Sequence, residues 1–170
     1  MANTRLYREN ITFLLAHPEA FADRTAPTAA ELNGPLVHNI TCALNEAGTE
    51  FTLGDSDTDD LLTFCDKAGM KTPTLYNPTV VFEGFRDSDK AGTGEFNELA
   101  DMLSFPNAEY IAILRMGKKS SDTFAINAVI KMVAVKTDYG IDTMASGENV
   151  RIMQSFLAND FVNWNYKVVA

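Results

Sequence analysis

The chain is poor in residues that do chemistry. Among its 170 residues there are two cysteines, two histidines and one tryptophan. Cys42 and Cys65 lack CxxC spacing and follow no secretory leader, so they read as free, reduced thiols rather than a disulfide framework. His17 and His38 stand in no frame with serine or cysteine that would make a nucleophile and its base. With two scattered cysteines they show no zinc-ligand spacing either. As the lone histidine on an otherwise apolar stretch, His38 reads as a satisfied, half-buried side chain. Glycine-rich phosphate loops are missing, since Gly92-Thr93-Gly94 is too short and lacks a following Lys-Ser/Thr. No run approaches the ~18 apolar residues of a membrane-spanning helix, and the opening MANTRLYREN has no apolar signal core. These absences argue against an enzyme, a cofactor, a metal site and a membrane, and for a protein made in a cytoplasm.

Positive charge is also scarce. Fourteen Lys and Arg face twenty-three Asp and Glu, a net charge of −9 at pH 7. The imbalance is uneven: ten acids against three bases up to Asp60, six against four from Leu61 to Ala100, and seven against seven beyond. This distribution argues against a basic nucleic-acid groove and suits a surface that repels polyanions. Trp164 and Tyr166 could stack bases in another context, but this charge makes them packing residues. In other respects the composition is globular, with 46% hydrophobic and 22% charged residues. The length predicts a single domain spanning 1–170 with an N-terminal arm of about residues 1–27.

What is abundant is alternation of period two, the mark of strands. It is strongest from Asp122 to Asp138, where Phe124, Ile126, Ala128, Ile130, Met132 and Ala134 share one wholly apolar side. Asn127 and Lys131 lie among valines on the other side, which should be partly wet. Glu109–Met116 is apolar on both parities and predicts a strand buried on two faces, paired as a hairpin with the 122–138 strand across Gly117–Ser121. Ile11–Ala16 reads as a strand or a docking arm. Leu36–Leu44 and Thr49–Leu53 read as a hairpin. Further strands are expected at Leu61–Asp66, Thr74–Tyr76, Thr79–Phe85, Asn149–Leu157 and Val162–Val169. In the last of these, Val162, Trp164, Tyr166 and Val168 face one way. Within Asn149–Leu157, Val150, Ile152 and Phe156 point inward. Asp87–Gly94 and Asp138–Glu148 read as loops, and Asn159-Asp160 as a turn.

Two helical signals stand out. Thr28 and Glu31 have capping-box spacing, and Asn33-Gly34-Pro35 must stop whatever they start. Glu95–Phe105 places Phe96, Leu99, Ala100 and Leu103 on one stripe, with acids near the helix start and Pro106 at its end. The expected fold is therefore mainly β: an antiparallel β-sandwich or barrel flanked by one α-helix. The expected core holds Phe96, Leu99, Leu103, Phe124, Ile126, Ile130 and Trp164.

Asp55-Ser-Asp57-Thr-Asp59-Asp60 is the loudest polar cluster. Oxygens at its first, third and fifth positions imitate the start of a calcium loop. The sixth position, which needs glycine, is Asp60, and the twelfth, which needs glutamate, is Asp66. A solvated acidic turn is the better reading, with a small calcium-binding module as the remote alternative.

The order of these pieces resembles one family: the major tail proteins, or tail tube proteins, of long-tailed bacteriophages. The matching pieces are TAAELN, GDSDTDDLLTFCDKAG, VVFEGFRDSD, EFNELADMLSF, YIAILRMG, FAINAVIKMVAVKTDYGID and FVNWNYKVV, spread over most of the chain from Thr28 to Val169. The resemblance implies a β-sandwich flanked by a helix, and a structural virion protein. Such subunits form hexameric rings that stack into the tail tube, through which DNA passes on ejection without specific binding. It also implies self-contacts made by long loops and arms, and contacts with tail terminator, tail-tip and tape measure proteins, with assembly in the bacterial host cytoplasm. Another virion component, a tail terminator or a head decoration protein, is the alternative. On this reading the candidate interface residues are Asp55, Asp57, Asp59, Asp60, Asp87, Asp89, Tyr139 and Asp142.

Overall fold

The computed structural model describes residues 8–59, 72–89, 92–144 and 148–170. In chain order its elements are β1 (Ile11–Ala16), α1 (Ala29–Leu32), β2 (Val37–Asn39), β3 (Glu50–Leu53), β4 (Asp57–Asp59), β5 (Thr72–Leu75), β6 (Pro78–Phe85), α2 (Glu95–Ser104), β7 (Glu109–Met116), β8 (Val129–Lys136), β9 (Ile141–Thr143), β10 (Arg151–Ser155) and β11 (Leu157–Lys167). A five-stranded sheet runs β11-β8-β7-β1-β2, a four-stranded sheet runs β3-β6-β10-β9, and β4 and β5 form a separate ribbon. Every pairing among these strands is antiparallel. The fold is mainly β, as the alternation predicts.

The five-stranded sheet is covered on both faces. β7 is buried at every position from Tyr110 to Arg115, as its two apolar parities require. Tyr110, Ala112 and Leu114 join Val133, Val135, Phe82 and Ile152 in the core between the sheets. Ile111 and Ile113 join Ile130 and Met132 on the opposite face, under Phe21, Leu32, Phe124 and Val168. β8 pairs with β7 from Glu109↔Lys136 to Arg115↔Ile130, so the expected hairpin exists. β1 lies between β7 and β2, so Ile11–Ala16 is an inner strand of the sheet within the segment expected as an arm.

α1 is the single turn the capping box foretells. Thr28 Oγ1 accepts from the Glu31 N–H at 3.2 Å, and the Glu31 carboxylate accepts from the Thr28 N–H at 2.8 Å and the Ala22 N–H at 2.8 Å. These backbone donors hold the Glu31 carboxyl below the usual carboxylate range, the Thr28 contribution being the larger. Thr28→Ala is expected to lower stability by about 0.5–2 kcal/mol, read from urea midpoints. A pH titration supplies a second check. A lowered carboxyl pKa gives stability that is present above the unfolded-state value and is lost as pH falls through the folded-state value. Both backbone donors survive in Thr28→Ala, so variant and wild type should lose this stability in parallel on acidification and the deficit should change little.

α2 fills the space between the sheets at one end. Leu99 and Leu103 are fully buried and Met102 nearly so. The helix comes so close to β6 that a Cβ at Gly84 would lie 2.4 Å from Leu99 Cδ2. Phe96, expected in the core, is 38% exposed at the rim, with its ring against Phe85 at 6.3 Å.

Several expectations are corrected. The strand expected over 122–138 begins only at Val129. Asn127 adopts φ 65, which ends extended structure, and Ile126, expected in the core, is 55% exposed. Phe124 is buried as expected, but from a loop: its N–H donates to Asn33 Oδ1 at 2.9 Å and its carbonyl accepts from Asn33 Nδ2 at 3.0 Å. The expected 36–44/49–53 hairpin does not form. β2 pairs with β1 and β3 with β6, because Ile40 and Ala43 turn into the core through a 3-10 turn at Thr41–Ala43. Val150 faces solvent rather than the interior. Asn159-Asp160 lies within β11 rather than in a turn. The 138–148 segment, read as loop, contributes β9. Asp60 and the expected strand at Leu61–Asp66 lie outside the described residues, as does Cys65. Cys42 is exposed and free.

β11 carries a register shift between Asn163 and Tyr166, opposite Met132 and Ile130. Three steps on one strand oppose two on its partner, which is a bulge. Val162 and Trp164 therefore pack toward the inter-sheet core, while Tyr166 and Val168 pack on the other face. The four do not share one side as expected. Trp164 is half-buried and stacks on Phe51 at 5.5 Å. Lys131 Nζ sits 4.5 Å over its ring, so this lysine on the half-wet strand face is engaged within the chain.

Candidate functional site

The sequence-predicted interface residues fall in three places. Asp57 and Asp59 lie in β4, beside exposed Asp55. Asn77 Nδ2 donates to the Asp55 carbonyl at 2.9 Å and to Asp57 Oδ1 at 3.3 Å. Part of the acidic cluster is thus extended as a strand rather than curled around a centre. Among the described residues, no group of three or more His, Cys, Asp or Glu is placed to hold a metal ion.

Asp87 and Asp89 form the second place, in the loop before α2. Asp87 Oδ1 accepts from the Asp89 N–H at 3.0 Å. Asn97, in the first turns of α2, donates to the carbonyls of Asp89 at 2.6 Å and Gly92 at 2.9 Å. The helix thereby holds the loop in shape, and both carboxylates stay near the protein surface.

The third place surrounds β9, an edge strand of the smaller sheet. Tyr139 is 72% exposed. Asp142 differs: its Oδ1 accepts from Arg86 Nε at 3.0 Å and Nη2 at 2.8 Å. It ties β9 to the end of β6 within one chain. Sequence reasoning missed the apolar neighbours. Ile141 and Met144 are 58% and 77% exposed, with Phe105 and Val150 also open to solvent. Their signal was present but weak, as single large apolar residues in a polar, glycine-bearing stretch without periodicity.

The two histidines meet. Their rings are 5.6 Å apart, and His17 also lies 5.3 Å from the Tyr110 ring. His38 Nδ1 is bonded to Glu98 Oε1 on α2. His38 is the satisfied, half-buried side chain the sequence suggested, and its bond ties β2 to α2.

Arg115 is the one fully buried cation among the described residues. Its Nη2 donates to Thr12 Oγ1 at 3.1 Å and the Lys119 carbonyl at 2.7 Å, and Nη1 to the Thr123 carbonyl at 3.3 Å. The guanidinium stacks 4.1 Å from the Phe124 ring. Burial pushes its pKa down and nearby Asp122 pulls it up. Arginine remains charged at any ordinary pH.

No helix of the described residues is long and apolar enough to cross a membrane. A family model described as "Phage tail tube protein" matches residues 1–170, the whole chain. No curated protein matches it significantly.

Proposed function

The chain belongs to the phage tail tube protein family, and from that premise we propose that it assembles into hexameric rings that stack into a conduit for DNA ejection. As a member of that family it is a structural component of the virion tail. The observation that carries the finer reading is the uncovered β9 edge. The larger sheet has both faces occupied from within, yet Tyr139, Ile141 and Met144 remain open around a strand whose outer edge is unpaired among the described residues. An apolar edge of this kind invites another chain. Tyr139 therefore remains an interface candidate and is joined by Ile141 and Met144. Asp142 serves the fold of β9. Asp55, Asp57, Asp59, Asp60, Asp87 and Asp89 remain candidates for interface or lumen positions. Tail terminator, tail-tip and tape measure proteins are the partners this role requires.

Charge supports the conduit. A chain of net charge −9 does not release counterions from DNA as a basic groove does. Screening limits the repulsion to roughly 8 Å at physiological salt, so only carboxylates near the passing duplex contribute.

Sedimentation and negative-stain microscopy of the purified chain test the assembly. Tubes of one width are expected, and a monomer at every concentration and salt would overturn the reading. Assembled tubes are further expected to show no measurable affinity for duplex DNA in fluorescence anisotropy at moderate salt. A tight, salt-sensitive complex would mean a basic DNA-facing surface.

A further inference from the structure

We propose that the loop from Gly117 to Phe124 is a pre-formed basic peg that docks on the acidic far end of a second copy of this chain. The inference rests on the tube reading above and gives it a specific contact between successive copies.

Lys118 and Lys119 are the only adjacent basic residues in the sequence. Both are exposed, and neither ammonium has a partner among the described residues. The loop beneath them is unusually well held. The Gly117 N–H donates to the Asn10 carbonyl at 2.8 Å. Asn39 Nδ2 donates to the Ser120 carbonyl at 2.8 Å. Arg115 holds the carbonyls of Lys119 and Thr123 from below, and Asn33 clasps Phe124. A loop ordered before it meets its partner avoids most of the entropy cost of ordering on binding.

The opposite end of the same ladder is acidic. β7 and β8 run from this loop to Glu109 and Lys136, and eight residues of strand span roughly 26 Å at about 3.3 Å each. At that end Glu109 and Asp138 are exposed, with Lys136 opposite Glu109 offsetting one of them; α2 ends there too, its exposed Asp101 one turn back from the Phe105 carbonyl that accepts from Thr137 Oγ1 at 2.7 Å. Asp101 has no partner for its carboxylate among the described residues. Opposite charges at opposite ends of one rigid ladder fit a head-to-tail contact. Such a contact does not close on itself and so propagates as a filament. Duplex DNA is the weaker fit, because two lysines on a chain of net charge −9 cannot supply the many phosphate contacts that tight binding needs.

The test is a charge swap. Lys118→Glu with Lys119→Glu is expected to raise the critical concentration for tube formation about tenfold or more, since like charges then face one another. Asp101→Lys with Asp138→Lys should do the same, and the two pairs combined should assemble near the wild-type concentration. All three variants should melt with the wild type, since none of these side chains is buried. If a reversed chain folds poorly, Lys118→Gln with Lys119→Gln gives the same direction with a smaller shift. Wild-type tubes accompanied by unimpaired assembly of the lysine variant would overturn the peg and leave the tube reading standing. Failure of the combined variant to recover would overturn the choice of Asp101 and Asp138 as acceptors. Lysine variants that lose only duplex binding would make the loop a DNA contact instead. A wild-type chain that never assembles would overturn both readings.

Discussion

Leu99→Ala is expected to lower the unfolding free energy by about 2–5 kcal/mol. Leu99 is fully buried and seated on Gly84, where a side chain on the strand would strike it. Truncation removes the apolar burial and leaves a cavity that the surroundings cannot easily close. The flanking strands are fixed by their ladders, and Leu103 is constrained by the close approach of Gly140 to its carbonyl, 2.5 Å from a Cβ placed there. Urea melts read the loss as a shifted midpoint at unchanged slope. Phe96→Ala, at the exposed rim of the same stripe, should cost clearly less. A Leu99→Ala loss below about 0.5 kcal/mol would contradict the buried assignment.

Arg115→Ala should be comparably severe, at about 2–5 kcal/mol. The substitution leaves the buried Thr12 hydroxyl without this donor, an unsatisfied buried group costing about 1–3 kcal/mol, and frees the carbonyls of Thr123 and of Lys119, the latter still held by the Asp122 N–H. It also removes the plane stacked on Phe124. Arg115→Met tests which loss dominates. Methionine restores volume but no donor, so it should recover only the packing share of the deficit. Protease sensitivity at the 117–124 loop should rise in both variants, because the side chain anchors that loop from beneath. Near-wild-type melting of Arg115→Met would mean that the hydrogen bonds contribute little net stability.

The elements legible in the sequence were those defined by local pattern. The two apolar parities of Glu109–Met116 foretold burial on both faces. The stripe of α2 foretold Leu99 and Leu103, and the spacing of Thr28 and Glu31 foretold the cap. What escaped depends on contacts distant in sequence. Asn33, 91 residues before Phe124, clasps that residue and helps pull 123–128 out of the strand their alternation suggests. Ile40 and Ala43 abandon strand alternation because the inter-sheet core accepts them. β9 is three residues long, too short for any period to show. The interface was partly legible for the same reason. Acidic loops announce themselves by composition, whereas Ile141 and Met144 become conspicuous only once the chain around them is folded.

The bulge in β11 has a consequence for how this sequence can drift. On either side of it the strand is read in two different frames, one placing Val162 and Trp164 between the sheets and the other placing Tyr166 and Val168 on the far face. Side chains within each frame can be exchanged for others of similar size and polarity. Loss of Asn165 alone would take out the extra residue of the bulge and leave Tyr166 opposite Ile130, with both frames on their present faces. Loss of Lys167, beyond the bulge, would turn Val168 over and take its cover from the far-face core. Length is therefore free to change at the bulge and constrained after it, and descendants of this chain should shed a residue at 165 far more readily than at 167.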